Sequence, residues 1–253
     1  MTPERTSQIL PPLPEDGVQR VLCVVAHPDD MEYGASAAVA AWSDAGVEVT
    51  YLLATRGEAG MADPPEQIAP LREREQRAAC ECVGVTDLRY LDHPDGMVEA
   101  GLTLRRGIAR VIRQVRPQLV LATNFEVEAY GSLNQADHRA VGLAAADACR
   151  DAGNPWVFRE LRESEGLEAW NPRALLIAGH PEPTHAKVVG PQEVQASIDS
   201  LRSHAAYLEH VTGHPEPEEL IGSALRAGGK VAGADHAVVL RVIDLGGLRD
   251  DDA

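Results

Sequence analysis

His27, Asp29 and Asp30 follow directly on the apolar run 21–26, and their types and spacing could do chemistry. An imidazole and a carboxylate three positions apart across a tight turn can converge on one divalent cation, which leaves Asp29 to face a water bound to it. A single aspartate would be enough to cap a following helix, so the second carboxylate points beyond capping. Further along, His138 stands at the predicted start of a helix and offers another imidazole. Two imidazoles and one carboxylate make three protein ligands and leave a position open for water, unlike the closed four-ligand sets of structural zinc.

These residues need a scaffold that brings them together. The run 21–26 reads as a buried parallel strand, and Pro28, which has no N–H, ends its ladder near His27. Gly46 closes the next helix, and 47–54 reads as a second strand followed by the polar segment 55–60 at the same edge, where Gly57 and Gly60 let the backbone turn and Arg56 points at the site. Residues 71–80 form a charged amphipathic helix ending near Gly84, with Arg72 at its site-proximal start. A third strand, 87–91, runs into His93, Pro94, Asp95 and Gly96. This second His-Pro-Asp lacks the second aspartate and reads as ordinary turn chemistry rather than as ligands. A helix over 104–115 leads to a fourth strand, 118–124, whose Asn124 also ends at the site edge. Later, 174–179 reads as a strand, 194–208 as a helix containing His204, and 238–245 as a closing strand pairing with 187–189. His180, His185 and His204 are expected to be solvated or bonded to backbone, with His185 the one that could approach the site.

The alternation predicts an α/β fold, a Rossmann-like doubly wound, mostly parallel sheet with helices on both faces. Its single domain spans 18–247, between a flexible arm (1–17) and an acidic tail (248–253).

The stretch Ala26-His27-Pro28-Asp29-Asp30, with the small-residue segment from Gly34, resembles the opening motif of the PIG-L or LmbE-like family of zinc-dependent N-deacetylases. The similarity continues through Thr55-Arg56-Gly57-Glu58, Leu71-Arg72-Glu73 and Asn134-Gln135-Ala136-Asp137-His138, and covers at least residues 20–150. It implies one Zn²⁺ per chain on His27, Asp30 and His138, with Fe²⁺ or Co²⁺ compatible with the same N/O ligands. It also implies that Arg56 contacts substrate and that the substrate is a small N-acyl amino sugar or conjugate of the N-acetylglucosamine type; Asp29, beside the metal but not needed as a ligand, is then the general base, and Arg72 and Asn124 are further substrate contacts by their place at the same edge. One position departs from the family, where many relatives have His-x-Asp-His. Glutamine donates a hydrogen bond but cannot deliver a proton. Gln135 would then serve the oxyanion while Asp29 shuttles the proton, unless a histidine from the C-terminal third supplies it. Asp137 would orient His138 or another neighbour.

Composition excludes other classes. A net charge of −16 over 253 residues, with no Lys/Arg cluster clear of acids, gives no footprint for nucleic acid or an anionic membrane surface. No apolar run approaches the ~20 residues of a membrane span. Four cysteines without zinc-finger spacing are expected to be buried thiols, which favours a reducing cytoplasm. Neither G-x-G-x-x-G after the first strand nor a P-loop is present, which disfavours a nucleotide enzyme. The rival readings are a non-catalytic sugar- or metal-binding relative and a zinc amidase acting on a non-sugar or mycothiol-conjugate-like amide. A homo-oligomer is compatible with the sequence.

Overall fold

A computed structural model describes residues 9–248. The chain begins β1 (Arg20–Val25), α1 (Asp30–Gly34), α2 (Ser36–Asp44), β2 (Glu48–Leu53), α3 (Pro65–Cys82), β3 (Asp87–Tyr90), α4 (Leu102–Val115) and β4 (Leu119–Thr123). A small hairpin, β5 (Glu128–Ala129) and β6 (Ser132–Leu133), precedes α5 (Ala136–Gly153) and α6 (Arg159–Glu163). The remainder is β7 (Ala174–Ala178), β8 (His185–Val188), α7 (Pro191–Arg202), α8 (Ala205–His210), α9 (Pro217–Ala232) and β9 (Ala237–Asp244).

Seven strands form one sheet in the order β3-β2-β1-β4-β7-β9-β8. The first five are parallel, whereas β9 runs antiparallel to both β7 and β8. Period-two alternation sends Val21, Cys23 and Val25 into one core with residues of α2, α7 and α9. Leu22 and Val24 enter the opposite core with residues of α4 and α5. Burial on both faces is why the central strands read as unbroken apolar runs. The sheet is therefore doubly wound, and the carboxyl ends of β1 to β4 share one edge.

The structure differs from the sequence reading in several places. The helix expected over 194–208 is two, because Ser203 and His204 break it, and His204 is fully buried as the N-cap of α8. α9 was not anticipated, although Pro217 at its start, Glu218 and Glu219 in its first turn and Gly233 (φ 70°) at its end are ordinary helix punctuation. The arm is docked from Ile9 onward: Leu13 is buried, Leu10 N–H donates to Val231 O, and Leu13 N–H donates to Ala186 O. Residues 1–8 and most of the expected acidic tail, 249–253, lie outside the described residues. Finally, Cys23, Cys80 and Cys149 are buried thiols, but Cys82 is exposed because it ends α3 on the solvent side. Among the described residues, no helix is long and apolar enough to cross a membrane.

Position along α5 matters most for the site, and its far end is held by a buried cation. The Arg113 guanidinium of α4 donates to the carbonyls of Ala152, Asn154 and Val157 at 3.1, 2.8 and 3.0 Å, using acceptors left over where α5 ends. Replacing Arg113 by Met should strand these carbonyls and cost about 2–4 kcal/mol in urea unfolding, the scale of lost charge-assisted bonds in a buried place. A change below 0.5 kcal/mol would mean that the α5 terminus is held elsewhere.

Candidate metal centre

β1 ends where the Asp30 carboxylate takes over its hydrogen bonding. Asp30 Oδ2 accepts the backbone N–H groups of Ala26 and His27, each at 2.9 Å. This leaves Oδ1 free, 3.0 Å from His138 Nε2. His27 Nδ1 lies 3.3 Å from the same His138 nitrogen. The His27, Asp30 and His138 donor atoms fall within 4.8 Å of one another, close enough to share one ion.

The far side of each imidazole fixes its tautomer. His138 Nδ1 faces Asn134 Oδ1 at 3.1 Å, so it carries the proton and turns the Nε2 lone pair inward. His27 Nε2 faces Asp95 Oδ1 at 3.0 Å and Asp137 Oδ2 at 3.3 Å, which leaves Nδ1 as the inward lone pair. Asp137 also accepts the N–H groups of Gly96 and Val98, at 2.7 and 3.1 Å. It therefore orients His27 rather than His138. His27, Asp95 and Asp137 form a second acidic cluster, but the Asp137 oxygens there are already committed to backbone N–H groups.

Electrostatics favour a cation. Burial opposes charge on His27, yet hydrogen bonds to Asp137 and Asp95 and the nearby Asp30 charge push its pKa up to about 10. Burial would raise the pKa of Asp30, but the charges of His138 and His27 hold it down to about 2. His138 is also raised, because the Asp30 charge outweighs burial. A set of donors that attracts protons this strongly fits a divalent ion with N/O preference, for which protons are the competitors.

Asp29 stands apart from this set. Its backbone is left-handed (φ 81°), and its N–H donates to Gln76 Oε1 at 2.9 Å. Arg72 Nη2 donates to Asp29 Oδ2 at 2.7 Å and to Pro28 O at 2.8 Å. Burial raises the Asp29 pKa even though the Arg72 and His204 charges pull it down. Behind it, the Arg72 guanidinium stacks on Tyr207 at 3.9 Å, and its Nη1 faces His204 Nδ1 at 3.4 Å. His204 Nε2 points toward Glu32 Oε2, 3.6 Å away. Thus a histidine expected to be solvated or backbone-bonded supports the arginine from within the core.

A polar cavity of about 180 Å³ gathers Asp29, Arg72, Asp95 and Gln135 beside the His27, Asp30 and His138 set. Arg56 and Asn124, the other expected substrate contacts, turn elsewhere. The Arg56 guanidinium is taken by Glu73 and Asp92 and lies over the Tyr90 ring at 4.4 Å. Asn124 is buried and accepts the Glu126 N–H at 3.0 Å, shaping the loop. His185 sits on β8, its Nδ1 against the Thr184 hydroxyl at 2.9 Å, and is not among the residues lining the cavity. The sequence reading missed Asp95. Its loop leaves a parallel strand at the shared edge, and that position was a better guide than its turn-like composition.

A doubly wound α/β protein with a cluster of nitrogen and oxygen donors able to hold a metal ion at the strands' carboxyl edge is the class these features define. The family model described as PIG-L: GlcNAc-PI de-N-acetylase matches residues 22–149, and the chain belongs to that family. It is 32% identical over 253 residues to the 1D-myo-inositol 2-acetamido-2-deoxy-alpha-D-glucopyranoside deacetylase of Kineococcus radiotolerans, covering 75% of this chain and 69% of that protein. It is also 32% identical over 169 residues to the diacetylchitobiose deacetylase of Thermococcus kodakarensis, covering 66% of this chain and 61% of the relative. Among solved structures, the N,N'-diacetylchitobiose deacetylase of Pyrococcus horikoshii superposes with a TM-score of 0.81 at 20% identity, over 91% of this chain and 86% of that one, a likeness of fold.

Metal binding should release protons and weaken as the pH falls, because the raised histidines must lose their protons to ligate. Calorimetric zinc titrations in buffers of differing ionisation enthalpy measure this, and heats independent of buffer would refute it. Asn134→Ala should lower zinc affinity about 10–100-fold by freeing the His138 tautomer.

Proposed function

We propose that this chain is a metal-dependent N-deacetylase that removes an N-acyl group from a small amino sugar or its conjugate. The observation that carries this reading is the inward-facing His27, Asp30 and His138 set with an unligated, arginine-held carboxylate, Asp29, beside it. His27, Asp30 and His138 would hold the ion, zinc first and Fe²⁺ or Co²⁺ next by donor chemistry. When bound, such an ion lowers the pKa of a coordinated water toward ~7 and polarises an amide carbonyl.

The protein's own residues do the rest. Asp29 accepts the proton of the attacking water, and Arg72 keeps its carboxylate aimed into the cavity. Gln135, at the N-cap of α5, lines the same cavity and donates its amide N–H to the tetrahedral oxyanion. The departing amine receives its proton back from Asp29, because Gln135 cannot supply one and His185 does not line the cavity. Asp137 acts through His27, which it orients. Substrate hydroxyls would meet Asp95, while Arg72, expected as a substrate contact, is instead buried and held by Asp29, Pro28 and His204. The family's deacetylases of acetamido-glucosyl inositol and diacetylchitobiose support an N-acetylglucosamine-type substrate.

The test is metal analysis followed by an amine-release screen over N-acetylglucosaminyl compounds. About one divalent ion per chain is expected, and Ala at His27, Asp30 or His138 should empty the site. Asp29→Asn should retain the metal and lose about 10²–10⁴-fold in kcat, the usual contribution of a general base. Loss of the metal in this variant would make Asp29 a ligand instead. Gln135→Ala should lower kcat by roughly 10²-fold at nearly constant KM, the cost of one oxyanion donor. An unchanged kcat would remove Gln135 from the mechanism.

A further inference from the structure

A second cavity, of about 580 Å³, opens from the same donor set on the side away from Arg72. Asp30, Tyr33 and His138 border both cavities, so the two meet where a scissile carbonyl would lie. Their walls differ in kind. The second is built from Leu220, Ile221 and Leu225 of α9, Val239 of β9, and the rings of Tyr33 and Tyr130. Tyr130, at the tip of the β5–β6 hairpin, closes over Gly179, where an added Cβ would come within 2.5 Å of its hydroxyl oxygen.

We infer that this apolar cavity is an acyl subsite, and that the substrates favoured by this chain carry a straight N-acyl chain longer than acetyl. The inference rests on the deacetylase reading and specifies its substrate. The two substituents of an amide leave the carbonyl in opposite directions. A sugar on the amine side needs hydrogen-bond partners, and the polar cavity offers Asp95 and Gln135, with Tyr207 beside them. Beyond the shared donor set the other side offers only the hydroxyls of Thr123, Tyr130 and Tyr33, the last already paired with His214, and the rest of its wall is mostly aliphatic, so it suits hydrocarbon. An acetyl methyl is about the size of one water, whose share of liquid volume is ~30 Å³. It would leave most of the apolar space to water, whereas a medium-length chain would fill it. The reaction is hydrolysis alone: the amide C–N bond breaks, a C–O bond to water forms, the acid leaves as carboxylate and the amine takes the proton.

The experiment compares N-acetyl-, N-butyryl-, N-hexanoyl- and N-octanoylglucosamine with the metal-loaded protein. kcat/KM should rise up to about fourfold per added methylene until the cavity is full, the worth of burying one CH₂. Ala224→Trp on α9, which narrows the cavity, should cut the octanoyl-to-acetyl ratio at least tenfold. A flat or falling series with acetyl hydrolysed overturns the subsite and leaves the deacetylase reading standing. A gain from octyl N-acetylglucosaminide but not from the longer amides also overturns it, by placing the aglycone there. If none of the amides is cleaved, the deacetylase reading fails, and octanoate binding by calorimetry decides the cavity separately. Binding that Ala224→Trp abolishes supports the subsite, and no binding to the wild-type protein overturns it.

Discussion

One carboxylate carries much of this architecture. Asp30 Oδ2 receives the first two N–H groups beyond the central strand, those of Ala26 and His27, and in doing so it folds the chain back into α1 and leaves its other oxygen facing His138. The turn so formed leaves Asp29 in the left-handed region, which costs an ordinary residue about 1–2 kcal/mol. Gln76 and Arg72, both from α3, offset that cost by bonding the Asp29 and Pro28 backbone. Strand termination, the placing of Asp30 against His138 and the position of Asp29 are thus one arrangement, and none can be altered alone.

The other loops at this edge are tied to one another in the same way. Glu58, after β2, accepts the Asp95 N–H, while Asp95, after β3, accepts the Ala59 N–H and reaches His27. Asp137, at the start of α5, accepts two N–H groups from the loop that carries Asp95. Asn134 Nδ2 donates to the carbonyls of Asn124 and Glu126 while its oxygen orients His138. The acidic residues around the centre therefore act largely as acceptors for backbone. This holds four loops in register at a place where the sheet no longer can.

What could be read from sequence divides along physical lines. The central strands were legible because burial on both faces writes a continuous apolar run, and the convergence of His27, Asp30 and His138 was legible because each stands where an element meets the sheet's carboxyl edge. The pairing of the closing strand with its edge neighbour was legible from two apolar runs, although β8 (His185–Val188) begins two residues before the expected 187–189. The direction of a long side chain was not. Arg56 leaves the right strand at the right edge, but Glu73, Asp92 and Tyr90 capture it, and those partners are set by α3 and by a loop more than thirty residues away. His204 was misread for a related reason: it is buried between Arg72 of α3 and Glu32 of α1, far away in sequence, and no local pattern records that packing. Asp95 was hidden by composition, since Pro-Asp-Gly is equally at home in an idle turn.

The docking of residues 10–13 has a consequence for how the sheet meets other molecules. Pro12 bridges to Ala186 of the last strand, Ala186 N–H donates to Pro11 O, and Leu13 N–H returns to Ala186 O. The strip that covers this edge is rich in proline, so its own outward side has few N–H groups to offer a further strand. At the opposite edge β3 is only four residues long. A seven-stranded sheet with one margin sealed by prolines and the other cut short offers little template for growth by strand addition, and so resists edge-to-edge aggregation.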